Sequence, residues 1–222
     1  YYYLQNCNNF ILFEIGPEEN YLFLYLNKRP IIVNLFLSEH DRLSLLNEEN
    51  NHEFYKNLTE KYISQIEQAI NNNKIDSLRG YEKIKREVFS GESSRIDILL
   101  ESPNLQPCFV EVKSVTMCNK KLALFPDSVT ARGAKHLREL SNQVKIGNRG
   151  VIFYLVQRDS CDAFEVAADI DAQYEEELIA AFKVGVEVLC YKCKISTTEI
   201  VVGSSLPTRF NVWGDGIAYQ TH

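Results

Sequence analysis

No run in the chain nears the roughly 18 apolar residues that span a bilayer, and its Asn-, Glu- and Tyr-rich start lacks the charged and apolar regions of a signal peptide. Those absences point to a soluble intracellular protein of the cytoplasm, with an organelle or the nucleus left open, and exclude a membrane partner. An initiating Met is missing too. The chain begins Tyr1-Tyr2-Tyr3, which reads as the interior of a strand, so an N-terminally incomplete fragment is expected. A strongly basic footprint is also lacking: the net charge is −6, which argues against nucleic acid, because phosphate binding is driven by Lys and Arg displacing counterions. The distribution softens this, since residues 75–160 hold fourteen Lys and Arg against ten Asp and Glu, a local +4. A basic patch on an acidic protein stays open. No internal repeat is visible.

Paired cysteine motifs are scarce. Six cysteines are spread along the chain, and without a secretory signal they are expected as reduced thiols. Cys190-Tyr191-Lys192-Cys193 has the C-x-x-C spacing but no second pair, and inside a strand its two sulfurs point to opposite faces. Core or surface thiols are expected there rather than zinc ligands.

What is present is enough apolar sequence, 45% of 222 residues, for one large domain or a medium domain with a smaller piece. Its most informative stretch is Ser94-Arg95-Ile96-Asp97-Ile98-Leu99-Leu100, preceded by Gly91-Glu92-Ser93 and followed after a turn by Cys108-Phe109-Val110-Glu111-Val112-Lys113. Both arms alternate with period two and read as strands, with Ile96 and Ile98, and Val110 and Val112, on apolar faces. Asp97, Glu111 and Lys113 take the other face. Residues 101–107 hold Pro103, Pro107 and polar turn formers, so the arms are expected to pair as a hairpin that sets Asp97 beside Glu111. Two close carboxylates repel unless a cation lies between them.

An Asp on one strand with Glu-x-Lys on the next is the pattern of the PD-(D/E)XK nuclease-like superfamily, which this stretch resembles. The resemblance implies that the carboxylates are hard oxygen ligands for Mg²⁺ or Mn²⁺. Lys113, on the same face as Glu111 and about 6–7 Å along the strand, would orient or activate water for attack on phosphorus.

Along the chain, Phe10–Ile15, Tyr21–Leu26 and Ile31–Leu37 read as strands, the first two split by the turn at 16–20. Residues 41–60 read as a polar linker or insertion. Phe54–Asn71 carries a helical stripe of Tyr62, Ile63, Ile66, Ala69 and Ile70, and Ile84–Phe89 reads as a strand. A second helix runs to about Lys145, with Asp127 or Ser128 as N-cap and Ala134, Leu137, Leu140 and Val144 buried. Its other face shows Arg132, Lys135, His136, Arg138 and Gln143, a solvated row by default and a phosphate clamp beside a metal site. Gly150–Gln157 is a central strand, 171–184 a helix, 186–195 a strand and 199–202 an edge strand. The expected class is α/β: a three-layer restriction-endonuclease-like core (αβββαβ) over residues 61–203, with a β remnant at 1–40 and a tail at 204–222.

Several strings together resemble the sugar fermentation stimulation protein A family. They are Leu78-x-Gly80-Tyr81, Arg86-Glu87-Val88, Ser94-Arg95-Ile96-Asp97, Val110-Glu111-Val112-Lys113, the string from Phe125-Pro126-Asp127 through Val129-Thr130, Arg132-Gly133 and Lys135-His136-Leu137, Val156-Gln157-Arg158, and Gly185-Val186-Glu187. The resemblance implies a nuclease-like C-terminal domain after an OB-fold barrel, sequence-nonspecific DNA binding, and a link to sugar metabolism, notably maltose. By position it gives Asp97, Glu111 and Lys113 as catalytic residues. Asp97 and Glu111 become metal ligands, with Glu67 as a possible third and Glu87 competing for that place. Arg95, Arg132, Lys135, His136 and Gln157 would contact nucleic acid. The barrel is largely missing, with residues 31–37 as its last strand, so this part of the chain reads as a truncated OB-like remnant. Three readings stay open: a metal-dependent phosphodiesterase, a non-catalytic DNA-binding regulator on a nuclease scaffold, and an interaction or structural protein with neither activity, which the net acidity keeps open.

Overall fold

The computed structural model describes residues 2–4, 11–15, 21–26, 29–34, 51–90, 94–196, 199–209 and 218–219. The turn expected at 16–20, the linker before residue 51, the segment 91–93, Cys7 and most of the tail after 209 lie outside them. The chain divides into two units, residues 1–61 and 62–222. No helix among the described residues is long and apolar enough to cross a membrane.

In the first unit, β1 (Tyr2–Leu4), β2 (Ile11–Ile15), β3 (Tyr21–Leu26) and β4 (Arg29–Asn34) form an antiparallel meander in chain order. Pro30 sits on β4, an edge strand, where proline is tolerated. Alternating β-branched, Leu and aromatic residues favour these strands. No closed barrel forms among the described residues. Helix α1 then covers Asn51–Asn71, so the last ten residues of the expected linker are helical. Seven of these ten fall within the helical stretch expected from Phe54, and Phe54, Tyr55 and Leu58 continue its spacing.

The second unit is built on a six-stranded sheet of β5 (Lys83–Ser90), β6 (Ser94–Ser102), β7 (Leu105–Val115), β10 (Arg149–Val156), β12 (Glu187–Ile195) and β13 (Ile200–Ser205). Its spatial order is β13-β12-β10-β7-β6-β5; β10 is parallel to both β7 and β12, and the other pairs are antiparallel. Helices cover both faces, which is why β10 is almost continuously apolar. On one face Ile63, Ile66, Ala69 and Ile70 of α1 pack with Ile98, Val110, Phe153 and Leu155. On the other, Leu137 and Leu140 of α2 (Ala131–Lys145) and Tyr174, Leu178 and Ala181 of α3 (Ala172–Val184) pack with Phe109, Ile152 and Tyr154.

A second sheet comes from strands too short for an alternation pattern: β8 (Met117–Asn119), β9 (Leu122–Phe125), β11 (Ala163–Val166), β14 (Thr208–Arg209) and β15 (Ala218–Tyr219). The expected tail is therefore partly structural. Leu206 and Thr208 are buried, and β14 pairs parallel with β11.

Two of the motif strings serve packing rather than chemistry. Arg149 makes a bidentate pair with Glu187 (both bonds 2.8 Å) and donates to Tyr81 Oη and the Ser77 carbonyl, each at 2.9 Å. It thus ties the start of β10 to the start of β12 and to the segment before β5.

The entry to α2 also departs from expectation. Thr130, not Asp127 or Ser128, is the N-cap, its Oγ1 accepting from the Gly133 N–H at 3.0 Å. Buried Asp171 caps α3 through the Tyr174 N–H (3.0 Å) and also accepts from the Thr130 N–H (2.8 Å), so one carboxylate fixes both helix starts. Gly133 lies in this crevice, and a Cβ there would meet Thr130 and the Tyr174 ring at 2.9 Å. Gly133→Ala is therefore expected to lower stability by about 1–2 kcal/mol in urea melts, the clash exceeding the helix-propensity gain.

Candidate metal and phosphate site

Strand pairing brings the expected residues together. The β6–β7 hairpin turns in two residues, with Ser102 opposite Leu105 and Ile98 opposite Val110, so Pro107 lies inside β7 instead of in the turn. The pairing of β6 with β7 stops at Ile98. Beyond it the Val112 N–H donates to Asp97 Oδ2 at 2.8 Å, so a side chain takes the place of a backbone acceptor. At the same level on β5, Glu87 has φ +47°, a conformation uncommon outside glycine. Ile96 and Ile98 were expected on one face. They enter different cores, Ile96 the one under α2 and α3 and Ile98 the one under α1. The alternation breaks where the two strands part, and Asp97 sits at that fork.

Glu111 pairs in register with Ile152, and Lys113 with Tyr154. Their side chains therefore share the sheet face under α2 and α3. Glu111 is 2% exposed. Its Oε1 accepts from Lys113 Nζ at 2.8 Å and makes a short contact with His136 Nδ1 on α2, while its Oε2 is buried without a hydrogen bond. Arg132 Nε donates to His136 Nε2 at 3.4 Å. With Nε2 accepting, Nδ1 carries the proton and donates to Glu111.

The electrostatics follow from burial. Burial, and then the charge of Glu111, push the Asp97 carboxyl up to about 6, against the Val112 N–H, Lys113 and His136. Burial opposes the Glu111 charge as well, but Lys113 and His136 outweigh it and hold that carboxyl below the ordinary range. One carboxylate is thus neutralised by its neighbours while the other is left repelled.

The remaining expected residues fare differently. His136 is buried and committed to Glu111, so it faces the carboxylate rather than a nucleic-acid phosphate. Both Glu67 oxygens are engaged by Arg86, and Glu67 stands on α1, which packs on the opposite sheet face from Glu111. Glu87 pairs with Arg95 at 3.0 Å. Gln157 follows β10 on the opposite face and accepts from Cys193 Sγ at 3.7 Å. Arg95 and Arg132 are exposed, and Lys135 is half-buried, 3.9 Å from Glu139. Among the described residues no group of three or more His, Cys, Asp or Glu could hold a metal ion.

Comparison with known proteins agrees with the resemblance. The family model of the Sugar fermentation stimulation protein RE domain matches residues 61–199. The sugar fermentation stimulation protein homolog of Maricaulis maris is 48% identical over 140 residues, 63% of this chain and 60% of that protein. The homolog of Paramagnetospirillum magneticum is 45% identical over 141 residues, 64% of this chain and 60% of the relative. Among solved structures, that of Pyrococcus furiosus SfsA in complex with Ca²⁺ aligns with a TM-score of 0.58 at 23% identity, covering 90% of this chain and 77% of that one. That level of identity is a likeness of fold. The chain spans about three fifths of the length of the curated relatives it matches.

Proposed function

The chain belongs to the sugar fermentation stimulation protein family, and from that premise we propose that its second unit is a metal-dependent phosphodiesterase acting on DNA. The fold-level support is the sheet with helices on both faces and the hairpin carrying Asp97, Glu111 and Lys113, the arrangement of a restriction-endonuclease-like core. The observation that carries the reading is the fork in that hairpin, where half-buried Asp97 is close enough to buried Glu111 to feel its charge and Lys113 lies 2.8 Å from Glu111.

A hard divalent cation suits the donor chemistry. Glu111 Oε2 is buried without a partner and the Asp97 carboxyl is raised by burial and then by the Glu111 charge, so positive charge between them would favour both ionised acids. Asp97 and Glu111 are the residues that would hold Mg²⁺ or Mn²⁺; the Ca²⁺ complex of the Pyrococcus furiosus relative is in keeping with this. When bound, the ion supplies charge that offsets the negative phosphate diester. Lys113 places an ammonium beside the scissile group and orients the attacking water. His136 fixes the Glu111 carboxylate through Nδ1, and Arg132, held by the other ring nitrogen, presents its exposed guanidinium to phosphate. Arg95, Lys135 and Arg132 supply sequence-independent contacts to the DNA backbone.

A second reading, a DNA-binding regulator without cleavage, is favoured by Glu111 Oε1 being satisfied by Lys113 and His136 without a metal. Incubating the protein with labelled single- and double-stranded DNA, with and without Mn²⁺, separates the two. Cleavage with Mn²⁺ that falls at least about 100-fold in Lys113→Ala, in the range of a lost catalytic group, supports the enzyme. Salt-dependent retention of DNA without cleavage, unchanged in Asp97→Ala, supports the regulator.

A further inference from the structure

We propose that Cys118 and Cys161 form a reversible oxidation site, which closes to an intramolecular disulfide when a peroxide reaches Cys118. The two residues are 43 apart in sequence, yet Cys161 Sγ donates to Cys118 Sγ at 3.2 Å, and Cys118 Sγ donates in turn to the Lys120 carbonyl at 3.1 Å. The backbone enforces this approach. Cys118 lies on β8, and Cys161 lies in the connection from β10 to β11, anchored on both sides: the Asp162 N–H donates to the Lys121 carbonyl at 2.8 Å, and Lys192 Nζ donates to the Cys161 carbonyl at 3.0 Å.

Exposure sets the order of events. Cys161 is fully buried and Cys118 half-buried, so a small oxidant meets Cys118 first. The Cys118 thiol reduces the peroxide, giving its alcohol or water and a Cys118 sulfenic acid. The Cys161 sulfur then attacks the Cys118 sulfur; the sulfenic hydroxyl leaves as water with the Cys161 proton, and an S–S bond remains. Two thiols lose two hydrogens in total and one peroxide is reduced. Burial, and then Cys118, push the Cys161 thiol up to about 12. The Cys161 thiol is thus protonated at rest, and the second step is the slower one.

The position of the link gives it structural reach. It closes the segment holding α2, with Arg132 and His136, and β10, and it pins β8, which begins two residues after β7 ends. Because the sulfurs already touch, closure restricts the unfolded chain with little change in the folded one, so the oxidised protein is the more heat-stable form.

The test is to treat the reduced full chain with hydrogen peroxide and map it by non-reducing digestion and mass spectrometry. The expected result is one link between the Cys118 and Cys161 peptides, reversed by dithiothreitol, with a melting temperature several degrees higher. Cys118→Ser and Cys161→Ser should each abolish both changes, and Cys118→Ala repeats the test at the more exposed position. Free thiols after treatment, Cys118 oxidised to sulfinic acid without a link, or a link from Cys161 to neighbouring Cys190 would overturn the proposal.

Discussion

Glu111→Ala is expected to lower the unfolding free energy by about 3–4 kcal/mol, the usual cost of stripping one partner from a buried ion pair. The reason is local. Glu111 is the shared acceptor of Lys113 Nζ and His136 Nδ1, and Lys113 is itself only 13% exposed. Without the carboxylate, an ammonium is left 3.4 Å from a ring nitrogen that no longer has an acceptor. Removing Glu111 also relieves Asp97, but burial is the larger cause of the Asp97 shift, so the relief offsets only part of the loss. Glu111→Gln keeps the shape and an acceptor and should cost about half as much. Urea denaturation at pH 7 measures both; a loss below about 1 kcal/mol for Glu111→Ala would mean that the acid does not neutralise its neighbours.

Asp97→Asn should move stability the other way, and in a pH-dependent manner. The native carboxyl sits at about 6, whereas the unfolded chain releases that proton near the ordinary value of 3.8. Between those values the folded state binds more protons than the unfolded one, so stability falls as pH rises from about 4 through 6, and the loss is complete above that. Two units correspond to about 3 kcal/mol. Asn still accepts from the Val112 N–H but lacks the charge that strengthens that bond, which trims the gain to about 2 kcal/mol. In metal-free buffer at pH 8 the variant should therefore be the more stable protein, with the difference vanishing below pH 4. A difference that stays constant with pH would contradict the repulsion at the fork.

The sequence placed the residues of this candidate site better than their surroundings. Alternation around Glu111 and Lys113 placed both on one strand face, because β7 is long and its face toward α1 is filled by Val110 and Val112. The same rule failed between Ile96 and Ile98, since a strand that leaves its partner no longer follows a flat two-residue repeat. At the same level Glu87 on β5 has a positive φ, a departure that side-chain type does not announce. His136 looked like one of a solvated row, because a polar residue on a helix reads as exposed unless its carboxylate partner, 25 residues earlier, is known to lie beneath it. Glu67 had plausible chemistry and helical position, but the face its helix covers is settled by the order of strands. The short strands of the second sheet and the contact between Cys118 and Cys161 depend likewise on the tertiary arrangement; three-residue strands leave too little pattern to detect.

The most direct test is Mn²⁺ binding followed by loss of the free-ion electron paramagnetic resonance signal, comparing the unmodified chain with Asp97→Asn and Glu111→Gln at pH 8. Saturation at one ion per chain, weakened at least about tenfold by either substitution, a loss of about 1.4 kcal/mol, is the predicted result. No binding, or binding that survives both substitutions, would contradict a divalent cation held between the two carboxylates.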